Sequence, residues 1–148
     1  MIPNMICSFW GTIGFSILFN VPKKYYIGCG VTGMFGWICY TLTHRSISIT
    51  MSTFFATMLV VLMARILAVR MKCPITIFLV PGIFPLLPGA NVYYTAYYLV
   101  TGSFGQAAEN GMSALKLAFA IVLGIIFIFA IPRKIFQMSH WRNNGNSK

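Results

Sequence analysis

Backbone groups freed by prolines are the groups of this chain most able to bind a small ligand. An uncharged stretch, residues 74–101, carries prolines and glycines in its middle. They are Pro81, Gly82, Pro85, Pro88 and Gly89. A proline inside a helix removes a backbone donor, so in a helical register the carbonyl oxygens of residues 77, 81 and 84 would lose their partners. Carbonyl oxygens freed in this way can accept hydrogen bonds from ammonium groups or bind cations.

Asn91, just beyond these residues, is of a type that favours the N-cap of a helix. It predicts that a second half-helix begins there, with its positive end directed toward the bilayer centre. Broken helices of this kind bind small charged substrates in transporters, where N-termini face carboxylates and freed carbonyls face ammonium groups. A zwitterionic amino acid or a carboxylate would suit such a site. The alternative is a proline kink that serves only helix packing.

Three polar side chains outside this stretch are further candidates. Thr53 and Thr57 share one face of an earlier apolar run, where they would line a pathway or bond their own backbone carbonyls. Glu109 is the only acidic residue of the chain. It is the candidate for proton coupling by elimination, because coupling needs an ionisable group. We predict a loop at residues 102–111, so a solvated loop carboxylate is the alternative for Glu109.

Other chemistry finds no support in the residue pattern. No Ser/His/Asp or Cys/His arrangement, phosphate loop or carboxylate pair is present, so we predict that the chain is not an enzyme. His44 has no second ligand nearby and the four cysteines lack metal or redox spacing, so we predict no metal site and no cofactor. The net charge is +10, but no basic patch is continuous, so we expect no nucleic-acid binding.

Composition predicts an all-α integral membrane protein. The 148 residues are 58% hydrophobic and 8% charged, whereas soluble domains carry roughly 25% charged residues. Five apolar runs are each long enough to cross a bilayer, and the fourth contains the break. They are residues 1–21, 27–43, 47–69, 74–101 and 112–131. We predict one transmembrane domain, residues 1–136, and a polar cytoplasmic tail, residues 137–148. The N-terminus lacks the basic region of a cleaved signal peptide, so the first run should be retained.

The basic residues predict the orientation of these runs. Five crossings with the N-terminus outside place most of them in the cytoplasm, together with the C-terminus. The cytoplasmic set is Lys23, Lys24, Arg70, Lys72, Arg133, Lys134, Arg142 and Lys148. Residues 74–101 should then cross once, with the break near mid-membrane. Arg65 should snorkel to the interface shared by Arg70 and Lys72, and Gly28, Thr32 and Gly36 should form a face for close helix packing.

Three short segments carry a resemblance to a known family. They are residues 19–22 (FNVP), 52–60 (STFFATMLV) and 81–89 (PGIFPLLPG). In this order and spacing they resemble the threonine/serine exporter family, and more narrowly its small membrane subunit, equivalent to the C-terminal half of the single-chain exporters. The resemblance implies a bacterial inner-membrane protein that works with a second, larger membrane subunit. It also implies export of threonine and serine with the proton gradient, or of dicarboxylates such as succinate in some two-subunit members.

The sequence therefore predicts one subunit of a secondary exporter for small amino acids, multi-pass in the bacterial cytoplasmic membrane. The substrate would bind at the break, between this chain and its partner subunit, and the coupling carboxylate could be Glu109 or a residue of that partner. Membrane lipids are the other expected contacts, and a homo-oligomer is left open. The alternatives are a dicarboxylate exporter, a structural subunit that stabilises its partner without transporting, and, third, a membrane-embedded enzyme such as a lipid transferase.

Overall fold

The fold is a bundle of helices with two short 3-10 turns. The computed structural model describes residues 2–131, and these contain no β-strand. The helices are α1 (Ile2–Leu18), α2 (Tyr26–His44), α3 (Ile49–Met71), α4 (Thr76–Ile83), α5 (Gly89–Val100) and α6 (Phe104–Phe129). The 3-10 turns are Lys23–Tyr25 and Phe84–Leu86. The predicted all-helical class is confirmed.

Two helices, α3 and α6, are long and apolar enough to cross a membrane by themselves. The pair formed by residues 76–86 and α5 passes the same test as one unit, although its two parts differ in direction by 54°. Such a bent pair is either a broken span or a re-entrant loop. The count of five crossings and the single crossing of residues 74–101 therefore stay predictions.

The turns that follow α1 and α3 are closed by the same local device. Asn20 and Lys72 adopt left-handed conformations, with φ of 54° and 51°. After α1, the N–H of Val21 donates to the carbonyl of Ser16 at 3.0 Å; after α3, a matching bond joins Cys73 to Ala68. These six-to-one bonds are Schellman caps, which stop a helix and satisfy its last carbonyls. Asparagine tolerates this conformation, which accounts locally for the Asn in the FNVP segment.

Small residues allow α2 to pack closely against its neighbours. A Cβ atom added at Gly33 would overlap Thr12 of α1, and one added at Gly36 would overlap Val60 of α3. Gly28 faces the ring of Phe78, and Thr32 lies against Gly82 of α4. The predicted packing face on α2 is therefore confirmed. In lipid, such close approach of backbones replaces the hydrophobic drive that folds soluble helices.

The charged residues in the α1–α2 and α3–α4 connections are all basic. The α1–α2 connection carries Lys23 and Lys24, and the α3–α4 connection carries Lys72. Because consecutive helices run in opposite directions, both connections lie at the same end, which we call the basic end. The Nζ atom of Lys24 lies 4.6 Å from the ring centre of Tyr25, and a hydrogen bond with the Tyr25 side chain raises the pKa of Lys24.

The orientation of the basic end relative to the membrane stays a prediction. Residues 132–148 lie outside the described part of the chain, and so do the predicted domain boundary at residue 136, the tail and its basic residues. The structure therefore leaves the C-terminal half of the charge argument untested.

The predicted snorkelling of Arg65 is wrong. This side chain is only 6% exposed, and its Nη1 atom donates to the carbonyl oxygen of Ile128 at 2.6 Å. Ile128 lies in the last turn of α6, where its carbonyl also accepts from the N–H of Ile131 at 3.2 Å and where the helix dipole favours a cation. The position of α6 against α3, which no local pattern shows, therefore keeps Arg65 inside the bundle.

The loop predicted at residues 102–111 is mostly helical, because α6 begins at Phe104. Its last glycine lies against α5: a Cβ atom added at Gly111 would be 3.3 Å from the methyl group of Thr95. The glycine therefore lets α5 and α6 approach one another, and is a packing residue of a helix. Glu109 accordingly lies on α6 and is exposed.

Candidate functional site

The segment between α4 and α5 is where the helical course is lost. Leu87 is extended, with φ −65° and ψ 139°, and Pro88 has φ −78° and ψ 50°. Pro88 cannot donate a backbone hydrogen bond and disfavours helix at the residue before it. The break therefore lies at residues 87–88, at the C-terminal end of the proline–glycine motif.

Pro81 does not interrupt the helix, which corrects the prediction for this residue. It lies inside α4 and is fully buried. The carbonyl oxygen of Ile77, which Pro81 deprives of its helical donor, accepts instead from the Sγ atom of Cys29 at 3.3 Å. Of the other two carbonyls predicted to be free, that of Phe84 accepts from the N–H of Leu87 at 3.2 Å. The carbonyls of Ile77 and Phe84 therefore each have a partner inside the protein.

A cavity of about 300 Å³ lies at the break, between α2, α3, α5 and α6. We call it the break cavity. Its lining residues are Trp37, Tyr40, Ile49, Thr53, Pro85, Leu86, Leu87, Pro88, Gly89, Ala90, Asn91 and Leu117. Thr53 is about 6 Å of helix rise from the first residue of α3, so the cavity is nearer to the end of the bundle opposite the basic end. Sequence reasoning had placed the break near mid-membrane.

Five of the residues predicted for the substrate site meet at this cavity. Pro85 and Pro88 belong to the turn that connects α4 to α5, and Gly89 and Asn91 belong to the first turn of α5. Thr53 comes from α3, more than thirty residues earlier in the chain, and is only 2% exposed. Residues from separate elements thus converge on the same cavity.

The other predicted residues lie elsewhere. Gly82 is buried between α2 and α3, where an added Cβ atom would be 3.0 Å from the methyl group of Thr32. Thr57 is fully buried and faces Gly124 of α6. Glu109 is about 12 Å of helix rise from Leu117, the α6 residue that lines the cavity. Pro81, Gly82 and Thr57 therefore pack the helices that surround the cavity, and Glu109 stands apart from it.

The threonines use their hydroxyl protons within their own helix. Thr53 Oγ1 donates to the carbonyl of Ile49 at 2.9 Å, and Thr57 Oγ1 donates to that of Thr53 at 2.8 Å. The local alternative foreseen for both residues is thus confirmed. A hydroxyl oxygen that donates once still has acceptor capacity, and Thr53 lines the cavity, so its oxygen can accept a hydrogen bond from a ligand.

Asn91 is not the N-cap of α5. The helix begins at Gly89 with Pro88 as its cap residue, and no side chain caps it. Asn91 stands two residues further on and is half-buried, and its backbone carbonyl accepts from Thr95 Oγ1 at 2.6 Å. Proline fixes φ near its helical value and so starts the helix earlier than Asn91 predicts. The Asn91 amide is consequently free of a capping role and lines the cavity.

The electrostatics of the break cavity come from dipoles as far as residues 2–131 are concerned, because none of their charged side chains lines it. The first turn of α5 forms part of the lining. The Gly89 N–H donates to the Leu87 carbonyl at 2.8 Å, and the N–H groups of Ala90 and Asn91 have no acceptors within their helix. These groups and the helix dipole favour a negative charge at that position. The lining also includes Trp37 and Tyr40, with ring centres 5.5 Å apart, and aromatic faces attract cations. The cavity can therefore receive a molecule with a carboxylate at one end and an ammonium at the other.

Trp37 and Tyr40 are cavity residues that sequence reasoning missed. Their spacing of three places both on one face of α2, but nothing in the sequence shows that this face meets the break. As to metals, no group of three or more His, Cys, Asp or Glu side chains comes together within residues 2–131.

Comparison with known proteins adds a family to this geometry. A family model described as "Threonine/Serine exporter, ThrE" matches residues 4–131. A Haemophilus influenzae protein described as uncharacterized is 30% identical over 129 residues, which cover 84% of this chain and 43% of the relative. The chain thus spans less than half the length of that relative. No solved structure matches the chain significantly.

Proposed function

The chain belongs to the threonine/serine exporter family, and from this premise we propose that it is one part of a secondary exporter for small hydroxy amino acids. The substrate would bind in the break cavity, and a second, larger membrane subunit would complete the transporter. The membrane would be the bacterial cytoplasmic membrane. The observation that carries this proposal is the composition of the cavity lining, which includes a helix N-terminus and two aromatic side chains and, among residues 2–131, no charged side chain.

The substrate would lie in the cavity between the first turn of α5 and the two aromatic side chains. Its carboxylate would accept from the first-turn N–H groups of α5, and its ammonium would lie against the rings of Trp37 and Tyr40. Its hydroxyl would donate to Thr53 Oγ1 or bond the amide of Asn91. A volume of about 300 Å³ is at the lower end of the roughly 300–1,000 Å³ found for ligand pockets, which favours a small substrate.

Succinate is the second candidate, and the cavity favours it less. A dicarboxylate needs two positive partners, whereas the described residues 2–131 offer the cavity one helix N-terminus and no basic side chain. The aromatic wall would then face a carboxylate, which the negative face of a ring repels. We therefore expect a zwitterion to be preferred, and we expect a dicarboxylate to require a basic residue from the second subunit.

The need for a second subunit is supported by length and by exposure. The relative has more than half of its length outside the region that this chain matches. In the most apolar stretch of α6, only 22% is buried inside the bundle. Its exposed large side chains include Phe119, Val122, Leu123, Ile126 and Phe127. A surface of this kind is covered by lipid or by another membrane protein, and α6 also supplies Leu117 to the cavity.

The proposal is tested by transport in reconstituted vesicles. The chain is co-purified with its second subunit, and efflux of labelled threonine, serine and succinate is followed under an imposed pH gradient. We expect Asn91→Ala and Pro88→Ala to abolish efflux while both variants remain inserted and assembled. Val100→Ala is the matched control, because Val100 lies on the same helix, is 89% exposed and does not line the cavity.

Two outcomes would contradict parts of the proposal. Normal efflux of all three compounds by both variants would mean that the break is not the substrate site. Loss of efflux only when the two subunits fail to co-purify would instead favour a structural subunit that stabilises its partner. An enzyme, by contrast, would convert substrate in detergent, where no gradient exists.

A further inference from the structure

A second cavity, of about 460 Å³, lies on the other side of the 3-10 turn from the break cavity. We call it the α1 cavity. It is lined by Asn4, Cys7, Ser8 and Phe15 of α1 together with Trp37 and Pro85. Asn4 and Cys7 are exposed, so this cavity is open toward the first two turns of α1. Its α1 residues belong neither to the sequence motifs nor to the proposed substrate site.

The two cavities share Trp37 and Pro85, so these residues form the partition between them. Pro85 is held in place, because its neighbour Leu86 is buried and its other neighbour Phe84 stacks on Phe15 with ring centres 4.2 Å apart. Trp37 is half-buried and projects from the middle of α2. A side chain of this kind can change rotamer without movement of its helix. The movable part of the partition is therefore the indole of Trp37.

We infer that the α1 cavity is the vestibule through which the transported amino acid leaves, and that Trp37 is the gate between it and the break cavity. This inference rests on the proposed function. In the closed position the indole contributes to the wall that holds the substrate ammonium. Rotation of the indole away from Pro85 opens the partition. The same movement removes the cation–π contact with the substrate ammonium, so release and opening coincide.

The chemistry of the α1 cavity suits release more than retention. Its hydroxyl, Ser8 Oγ, already donates to the carbonyl of Gly33 at 3.2 Å, and its amide, Asn4, lies at the exposed mouth. The remaining lining is mainly apolar, so an amino acid would bind weakly there, as a site on an exit path requires.

The position of the vestibule agrees with export. Asn4 and Cys7 lie in the first turns of α1, and the bond from Ser8 to Gly33 places them beside the second half of α2. This is the end of the bundle opposite the basic end. Since basic connections favour the cytoplasmic side, the vestibule opens toward the outside.

The test uses Cys7 as a native reporter within the two-subunit complex. A charged, membrane-impermeant methanethiosulfonate reagent is added from outside, and threonine efflux is compared before and after treatment of the same preparation. We expect modification of Cys7 to reduce efflux several-fold, and we expect threonine loaded inside the vesicles to slow the modification. The Cys7→Ser variant should show the same efflux before and after treatment.

A matched control places the thiol on the neighbouring surface. Ile6 is 53% exposed and does not line the α1 cavity. In the double variant Ile6→Cys, Cys7→Ser, modification should therefore leave efflux unchanged. Trp37→Ala should raise the rate at which Cys7 is modified, and it should give threonine efflux without an imposed pH gradient. Trp37→Phe should behave more like the native protein. The Cys7 comparison stands even where Trp37→Ala fails to fold.

The outcomes separate this inference from the proposed function. Where Asn91→Ala abolishes efflux but complete modification of Cys7 leaves the native rate unchanged, the vestibule is refuted and the substrate site stands. Equal inhibition through Ile6→Cys and through Cys7 also refutes it, because a general effect on α1 would then explain both. Where Asn91→Ala exports at the native rate, the substrate site itself is refuted.

Discussion

Replacement of Gly33 by alanine tests the α1–α2 contact that supports both walls of the α1 cavity. A Cβ atom at Gly33 would lie 2.9 Å from the Cβ of Thr12 and closer still to its hydroxyl oxygen. Non-bonded carbon atoms rest about 3.5–4.0 Å apart, so the two helices would have to separate by roughly 1 Å. The separation would also stretch the hydrogen bond from Ser8 Oγ to the Gly33 carbonyl, which is 3.2 Å long.

The expected cost follows from three effects. Overpacking of a close contact costs about 1–3 kcal/mol, and loss of the Ser8 bond costs about 1 kcal/mol more. Alanine is the better helix former, which returns about 1 kcal/mol. We therefore expect Gly33→Ala to lower the free energy of unfolding by about 1–3 kcal/mol. The measurement is an SDS titration of the purified protein in mixed micelles, followed by circular dichroism.

Two further variants make this prediction specific. Gly14→Ala, on α1, places its Cβ in open space, so it should be neutral or stabilising by up to about 1 kcal/mol. Thr12→Ala removes the hydroxyl and methyl groups nearest to Gly33, so it should recover part of the loss, with a coupling of about 0.5–3 kcal/mol. If Gly33→Ala were as stable as Gly14→Ala, or if Thr12→Ala recovered nothing, the close packing of α1 on α2 would be wrong.

Three other predictions follow from the structure. Arg65→Met should lower the free energy of unfolding by about 1–3 kcal/mol, because it removes the charge-assisted bond to the Ile128 carbonyl and leaves that group with the 3.2 Å bond from the Ile131 N–H; Arg65→Lys should lose less, and the same titration measures both. In a Cys7→Ser background, Ser46→Cys should react with an impermeant maleimide in intact cells, whereas Lys23→Cys should react only after permeabilisation; the reverse result would invert the predicted orientation. Glu109→Gln should retain downhill efflux of threonine but lose its acceleration by an imposed proton gradient. Retained acceleration would assign the coupling carboxylate to the second subunit.

The parts of the fold that local sequence determines were predicted well. The bounds of α2, predicted as 27–43, are Tyr26–His44 in the structure, because Pro22 and the lysines precede an unbroken apolar run. The packing face of α2 was predicted from a four-residue spacing of small residues, which needs no knowledge of the neighbouring helix. The break was found in the correct segment, since Pro88 acts on the residues beside it.

The parts that depend on distant residues were not predictable. Pro81 is tolerated inside α4 because Cys29, 48 residues earlier than Ile77, supplies the missing donor. Arg65 is buried because the end of α6 comes to it, over a separation of 63 residues. Trp37 could not be placed at the cavity before the packing of α2 against the 3-10 turn was known. In each case the deciding partner belongs to another helix, and no periodicity within one helix reveals it.

The division of the cavity walls between two groups of helices has a mechanical consequence. Helix α5 packs mainly on α6, and α6 is attached to α3 through its second half, where Gly124 meets Thr57. The α5–α6 hairpin can therefore tilt as one unit about the contact between Gly124 and Thr57. The non-helical residues 87–88 would be the hinge of this motion. A small tilt of this hairpin would move the part of the break cavity formed by α5 relative to α1–α4, while α1–α4 keep their contacts with one another. A subunit bound to the exposed face of α6 would thus control the tilt of the α5–α6 hairpin, and with it the shape of the break cavity.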